Sequence, residues 1–245
     1  MKKIALLALA AFFLTANASF AQFGKLIEKA KTAATSGTTA TANPTEIATA
    51  LKQALEIGAT KSADLLSKEN GFFANQAVKI LFPPEALKAE ATLRRLGLNK
   101  MCDDAILSFN RAAENAAIEA KPIFISAVKN MTVKDATNIL MGSKDAATTY
   151  FKQSTTDSLT KVFAPIVQKS MDKVGATQYY TDVATKYNKV PMVAKINPDL
   201  KGYVTQKAIE GLFMQIAAEE LKIRESSAFR TTDLMKKVFA IADKK

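Results

Sequence analysis

From Asn43 onward the chain repeats its apolar residues every three to four positions, and only one run reads differently. That run is VKILFPP, Val78 to Pro84. A lone strand leaves its backbone N–H and C=O groups without partners, and no second segment here is suited to pair with it. Its two prolines also belong at sheet edges rather than in ladders. The segment is therefore expected to be an extended connector. The fold class that follows is all-α, a single bundle-like domain of about eight helices over residues 45–245, several of them bent at prolines.

Punctuation places the helices. Asn43-Pro44-Thr45-Glu46 supplies a cap, a first-turn proline and an acid three residues after the cap, and Asn70-Gly71 supplies a stop. Further helices are expected over Glu85–Leu96, ending at Gly97, and over Lys100–Asn130, bent near Pro122. A short helix capped by Thr132 and Asp135 should stop at Gly142. Ser143–Val174 should bend at Pro165, and the rest should fall at about 176–188, 199–225 and 231–242.

The first residues read as an export signal. Lys2 and Lys3 precede an apolar run from Ile4 to Leu14, and Ala16-x-Ala18 and Ser19-x-Ala21 fit a signal-peptidase site. The run is too short to span a bilayer, which takes roughly 20 residues. The expected organisation is a signal peptide over 1–21, cleaved after Ala21, then a flexible tether over 22–44 rich in Thr, Ala, Ser and Gly. A periplasmic or secreted location follows, with no transmembrane segment in the mature chain. Cys102 lies far from the cleavage site, so it is not a lipidated first residue.

Absent residue types exclude chemistry. The chain contains no histidine and one cysteine. Ser-His-Asp and Cys-His nucleophiles, His-ligated zinc and an imidazole acid–base group are ruled out, as is an internal disulfide. The formal net charge of +11 comes from lysines spread along the chain rather than from a basic run alternating with aromatics. That pattern suits weak attraction to anionic envelope components and not nucleic-acid recognition. No cofactor or metal is expected.

The most charged helical text is NRAAENAAIEAKPIF, residues 110–124. At 100° per residue Arg111, Glu114, Asn115, Glu119 and Lys121 share one arc with Pro122, opposite Ala112, Ala113, Ala116, Ala120, Ile123 and Phe124. Arg111 is spaced to touch Glu114 and Asn115. A solvated, kinked face is the favoured reading. A partly buried network is the second, because Leu107, Ile118 and Ile125 run through the same arc. A ligand site is the third.

Other groups have plain readings. Arg94 and Arg95 are candidate anion contacts, but basic residues suit a helix's last turn. Asp103 and Asp104 read as first-turn acids. Gly211, beside the Tyr203, Lys207 and Glu210 face, marks a tight helix crossing. Glu219, Glu220, Lys222 and Arg224 read as surface ion pairs, and Phe72-Phe73 as a loop anchor tucked into the core.

The segments GFFAN (71–75), LRRLG (93–97), NRAAENAAIEAKPIF (110–124), DATNIL (135–140), AATTYF (146–151), FAPIV (163–167), YVTQKAIEGLF (203–213), EELKIR (219–224) and TTDLMKKVF (231–239) follow one another in order. Through them the chain resembles the bacterial family catalogued as domain of unknown function 4197, from about residue 45 to 241. The resemblance implies an exported helical protein with no established activity, and it brings no catalytic residues. Glu225-Ser226-Ser227 departs from the acidic or amide residue and proline usual in relatives, and the tether has no counterpart.

Taken together, the residues point to binding rather than catalysis. An interaction or structural module of the cell envelope, with an envelope component or protein as partner, is the first expectation. A periplasmic carrier lodging a fatty acid or lipid between helices is the alternative. A carboxylate enzyme using Glu114 and Glu119 is the weakest, for want of a second acid–base group.

Overall fold

The computed structural model describes residues 42–243 apart from 174, 176, 178, 179, 182, 183, 186, 187, 190, 193, 194 and 198. The expected signal peptide and nearly all of the tether lie outside the described residues. Residues Ala42–Lys245 form one compact unit. It is all-α, with no strand among the described residues.

Eight α-helices have described bounds: α1 Pro44–Leu66, α2 Leu87–Arg95, α3 Asn99–Ala117, α4 Ala120–Asn130, α5 Val133–Leu140, α6 Ala146–Asp172, α7 Leu200–Glu225 and α8 Asp233–Ala242. Short 3₁₀ turns at Pro84–Ala86 and Ser227–Phe229 join some of them. Within the expected 176–188 helix, Thr177, Tyr180, Thr181, Ala184 and Thr185 are helical. None of the described helices is long and apolar enough to cross a membrane.

Local chemistry explains the ends. The Asn43 side chain accepts from the Glu46 amide at 2.9 Å while Glu46 accepts from the Asn43 amide at 3.0 Å. Thr132 and Asp135 repeat this reciprocal cap on α5. α1 stops at Leu66, four residues before the expected stop. The chain then turns through Asn70, whose φ is 68°, into Gly71, where a Cβ would stand 2.6 Å from the carbonyl oxygens of Leu65 and Leu66.

Pro122 acts differently from expectation. The helix expected over 100–130 is two helices, broken at Ile118–Glu119 rather than bent at Pro122. Pro122 thereby falls in the first turn of α4, where a missing N–H leaves no helical bond unmade. Pro165 alone among the described prolines lies inside a helix, α6.

In the middle, α3, α6 and α7 pack on one another, and α1 lies against α7 with α4, α5 and α8 around it. Phe124 makes edge contacts with Phe151 at 5.0 Å and with Phe213 at 6.2 Å between ring centroids. Alanines 112, 113, 116, 117 and 120 are all fully buried, so the expected close-packed alanine face is present. One helix stands apart: α2 has no buried residue and packs chiefly on α3.

Candidate ligand-binding site

The charged arc of α3 and α4 is mostly a structural device. Glu114 is 3 % exposed. Its Oε1 accepts from the amides of Phe72 and Phe73, each at 3.1 Å, and its Oε2 accepts from Arg111. Arg111 also reaches Glu69 at 3.1 Å and Asn70 at 3.0 Å. The carboxylate thus fixes the turn that follows α1, and Phe72 enters the core as expected. The second of the three sequence readings, the buried network, holds for Arg111 and Glu114.

The remaining members separate. Asn115 is exposed and donates to Ser170 at 3.3 Å; Glu119 is exposed; Lys121 pairs with Asp64. Arg111 and Asn115 do line an open groove with Leu107, Ser170 and Lys173. Arg111 is already paired there by two acids. Arg94 sits between Glu90 at 2.8 Å and Asp103 at 2.9 Å, while Arg95 is exposed. Asp103 and Asp104 lie beyond the first turn of α3, a correction. They answer Arg94 and Lys100 rather than the helix dipole.

Four buried polar residues depart from the sequence expectation. Asn110 is fully buried and holds Ile80 at both its amide and its carbonyl, 2.8 Å each. The extended segment therefore finds on α3 the donor and acceptor that a neighbouring strand would have supplied. Glu220, read as surface, is 7 % exposed. It accepts from the amides of Ala147 and Thr148, capping α6, while its partner Arg224 donates to the last carbonyls of α5, Ile139 and Leu140. Arg230, also buried, closes α7 through Ile223 and Arg224 carbonyls and pairs with Asp243. Glu219 is buried too; burial pushes its carboxyl up, but Lys222 and Lys61 hold it below the usual range. Gly211 marks a close approach as expected, though of the Phe72 loop and not of a helix.

The cavity lies elsewhere. Between α2, α3, the start of α7 and the residues around Tyr180 is a space of about 540 Å³, within the roughly 300–1,000 Å³ usual for small-molecule sites. Phe82, Ala89, Leu93, Met101, Ala105 and Phe109 supply most of one side; Tyr180, Ala184, Ile196 and Leu200 face them. Among the described residues, its charged lining side chains are Glu90, Lys100 and Asp104. Each already has an opposite charge, Lys100 and Asp104 at 2.6 Å and Glu90 with Arg94.

Two reactive groups belong to this wall. Cys102 is fully buried, and burial raises its thiol pKa, so it is held as a neutral thiol. Tyr180 is 6 % exposed, and its hydroxyl has no hydrogen-bond partner among the described residues. Burial, then the Glu85 charge, raises the phenol well above its ordinary value. The described residues include no cluster of three or more His, Cys, Asp or Glu suited to a metal. The sequence signal for the cavity was slight: LRRLG and MCDDAI read as ordinary amphipathic helix text, and a cavity is the absence of filling, which no single residue announces.

No curated protein and no solved structure matches the chain. A family profile does match, over residues 41–240, which is most of the sequence. The chain belongs to the protein family of unknown function designated DUF4197.

Proposed function

We propose that this protein is a non-catalytic carrier that lodges a small apolar or amphiphilic molecule in the cavity between α2, α3 and α7. The supporting observation is the cavity itself. Apolar side chains make up most of its lining, and the acids and base at its edge are mutually paired. Glu114 and Glu119, the pair weighed for catalysis, share no cleft: Glu114 is committed to two backbone amides and Arg111, and Glu119 faces solvent. With the Lys2–Lys3 start and the Ile4–Leu14 run, the proposed place of action is the periplasm.

An interaction module of the envelope is the second reading. Leu81, Leu87, Leu96 and Leu98 favour it, since all four stand at least 40 % exposed on α2 and its flanks.

Native mass spectrometry of protein purified from periplasm, followed by solvent extraction, tests the carrier. A lipid-sized adduct released on unfolding is expected. It should be missing from Ala89→Trp, which narrows the cavity from a helix with no buried residue. An unladen mass together with no binding of the neutral fluorophore N-phenyl-1-naphthylamine would overturn the carrier and leave the module.

A further inference from the structure

The two faces of α2 carry different chemistry. Ala89, Glu90 and Leu93 line the cavity; at 100° per residue they fall about 200° to 300° around the helix from Leu87. Leu87, Lys88, Ala91, Thr92 and Arg95 fall at about 0° to 140°, and all five are exposed. The outward face is therefore leucine, small residues and two cations. The one acid of α2, Glu90, belongs to the inward face and is paired with Arg94. Leu87 is 49 % exposed, and past the helix end Leu96 is 71 % exposed, with Leu98 also exposed. Gly97 between them has a φ of 84° and open space where a Cβ would stand. Its left-handed backbone makes the sharp turn that carries both leucines at the surface. Clustered apolar residues in water mark a contact surface.

We infer that the outer face of α2, with the Leu96-Gly97-Leu98 turn, docks on an anionic lipid bilayer, the leucines entering the headgroup region while Lys88 and Arg95 meet lipid phosphates. This goes beyond the carrier reading, because it concerns the outside of the helix and not what fills the cavity. Charge complementarity favours a bilayer: leucines beside lysine and arginine are the composition of a helix that lies in an interface. Neighbouring acids are mostly answered, Glu90 and Asp103 by Arg94 and Asp104 by Lys100, while Glu85 before the helix is exposed. The shape agrees. A helix with no buried residue, packed chiefly on α3, presents a ridge that lipid can mould around, whereas a protein partner would need a matching groove. Gly97 and Leu98 are at once exposed and part of the cavity wall, so the apolar turn is also the cavity's lip. A bilayer docked there sets its acyl chains beside the cavity.

The test mixes the whole mature protein with vesicles of phosphatidylcholine, alone or with one-third phosphatidylglycerol, and reads bound protein by flotation. Salt is kept at about 0.1 M, where charges act over roughly 10 Å. Binding should favour the anionic vesicles. Lys88→Gln with Arg95→Gln should weaken it about tenfold or more, since each cation near such a surface is worth about fivefold. Leu87→Ser with Leu96→Ser should weaken it about fivefold or more. Lys129→Gln with Lys134→Gln, the same charge change on α4 and α5, should weaken it less than about threefold. All six residues are exposed and none lines the cavity, so every variant should fold and bind N-phenyl-1-naphthylamine as wild type does. Equal losses in the two charge variants would overturn the inference in favour of net charge alone, as would undiminished binding by the leucine variant. A wild-type dimer in sedimentation that the leucine variant turns into a monomer would give the face to a second copy. No binding to the anionic vesicles would also overturn it, leaving the face to a protein and the carrier reading untouched. Failure of the fluorophore to bind wild type would remove the carrier and leave the docking result standing.

Discussion

Asn110 and Ile80 are joined as two paired strands would be, the side-chain amide of one answering both backbone groups of the other at 2.8 Å. This pairing holds Ile80 among helices just after the turn that closes on the Asn75 carbonyl, with Ile80 buried in the core and Leu81 exposed. Asn110→Ala strands a buried donor and a buried acceptor together. The expected loss is on the order of 3 kcal/mol, read by urea unfolding. A loss below about 0.5 kcal/mol would mean that water or another group replaces the amide at once.

Glu114 and Arg111 form one network but should not be equal. Glu114→Gln keeps the shape of the side chain, yet sets an amide N–H₂ against either the Phe72 and Phe73 amides or Arg111, all of them donors. About 2–4 kcal/mol of stability should go. Arg111 is partly exposed, and Arg111→Met leaves the carboxylate its two amides, so a loss of about 1–2 kcal/mol is expected. Equal stability of both variants and wild type in thermal melts would sink the network.

These residues also mark where sequence reasoning succeeds and stops. The caps at Asn43 and Thr132 were legible because a capping box is local, written within four residues. So was the all-α class, from the single unpaired extended run. The role of Glu114 was only half legible: its partner Arg111 lies one turn away, but its backbone donors are about forty residues distant. Glu220 and Arg224 have the spacing of an ordinary surface pair. Nothing near them in sequence says that they meet the ends of α5 and α6, whose first turn lacks a side-chain cap of its own. The break at Glu119 was misplaced because proline was read as a bend, whereas a first-turn proline tolerates a clean restart. Tyr180 gave no signal at all, since an orphaned hydroxyl exists only once its surroundings are assembled.

Two helix-interior glycines should respond oppositely to alanine. At Gly58 a new Cβ would meet the Glu219 Cβ at 3.8 Å, an ordinary contact. Gly58→Ala should therefore stabilise by about 0.5–1 kcal/mol through helix propensity. At Gly211 the Cβ would stand 2.7 Å from the Phe72 ring and 3.1 Å from the Val78 Cβ. That ring is fully buried, with its backbone held by Glu114. Overpacking should win there, with a net loss of about 1–3 kcal/mol. Chemical denaturation of the pair decides it, and a stabilised Gly211→Ala would show that the loop is free to withdraw.

The pH profile should have a flat top with two limbs. Glu46 is held low first by Lys237 and then by its Asn43 cap bond; Arg230 does the same to Asp243. Depressed carboxyls contribute fully above their unfolded values near pH 4 and cease to contribute as pH falls through the lower folded ones. On the alkaline side, burial raises Cys102, Tyr150, Tyr180 and Tyr203. Their contribution is complete below the unfolded values, about 8.5 for the thiol and 10 for the phenols, and fades as pH rises toward the folded ones. With no histidine, no side chain of ordinary pKa titrates between. The melting temperature should hold within about 2 °C from pH 5.5 to 8 and drop outside pH 4 and 9. Asp243→Asn should make the acid limb shallower, because one of its depressed carboxyls is gone. A steep change near pH 6.5 would mean that a group assigned here to the flat region is strongly perturbed, and this account of the charges would fall.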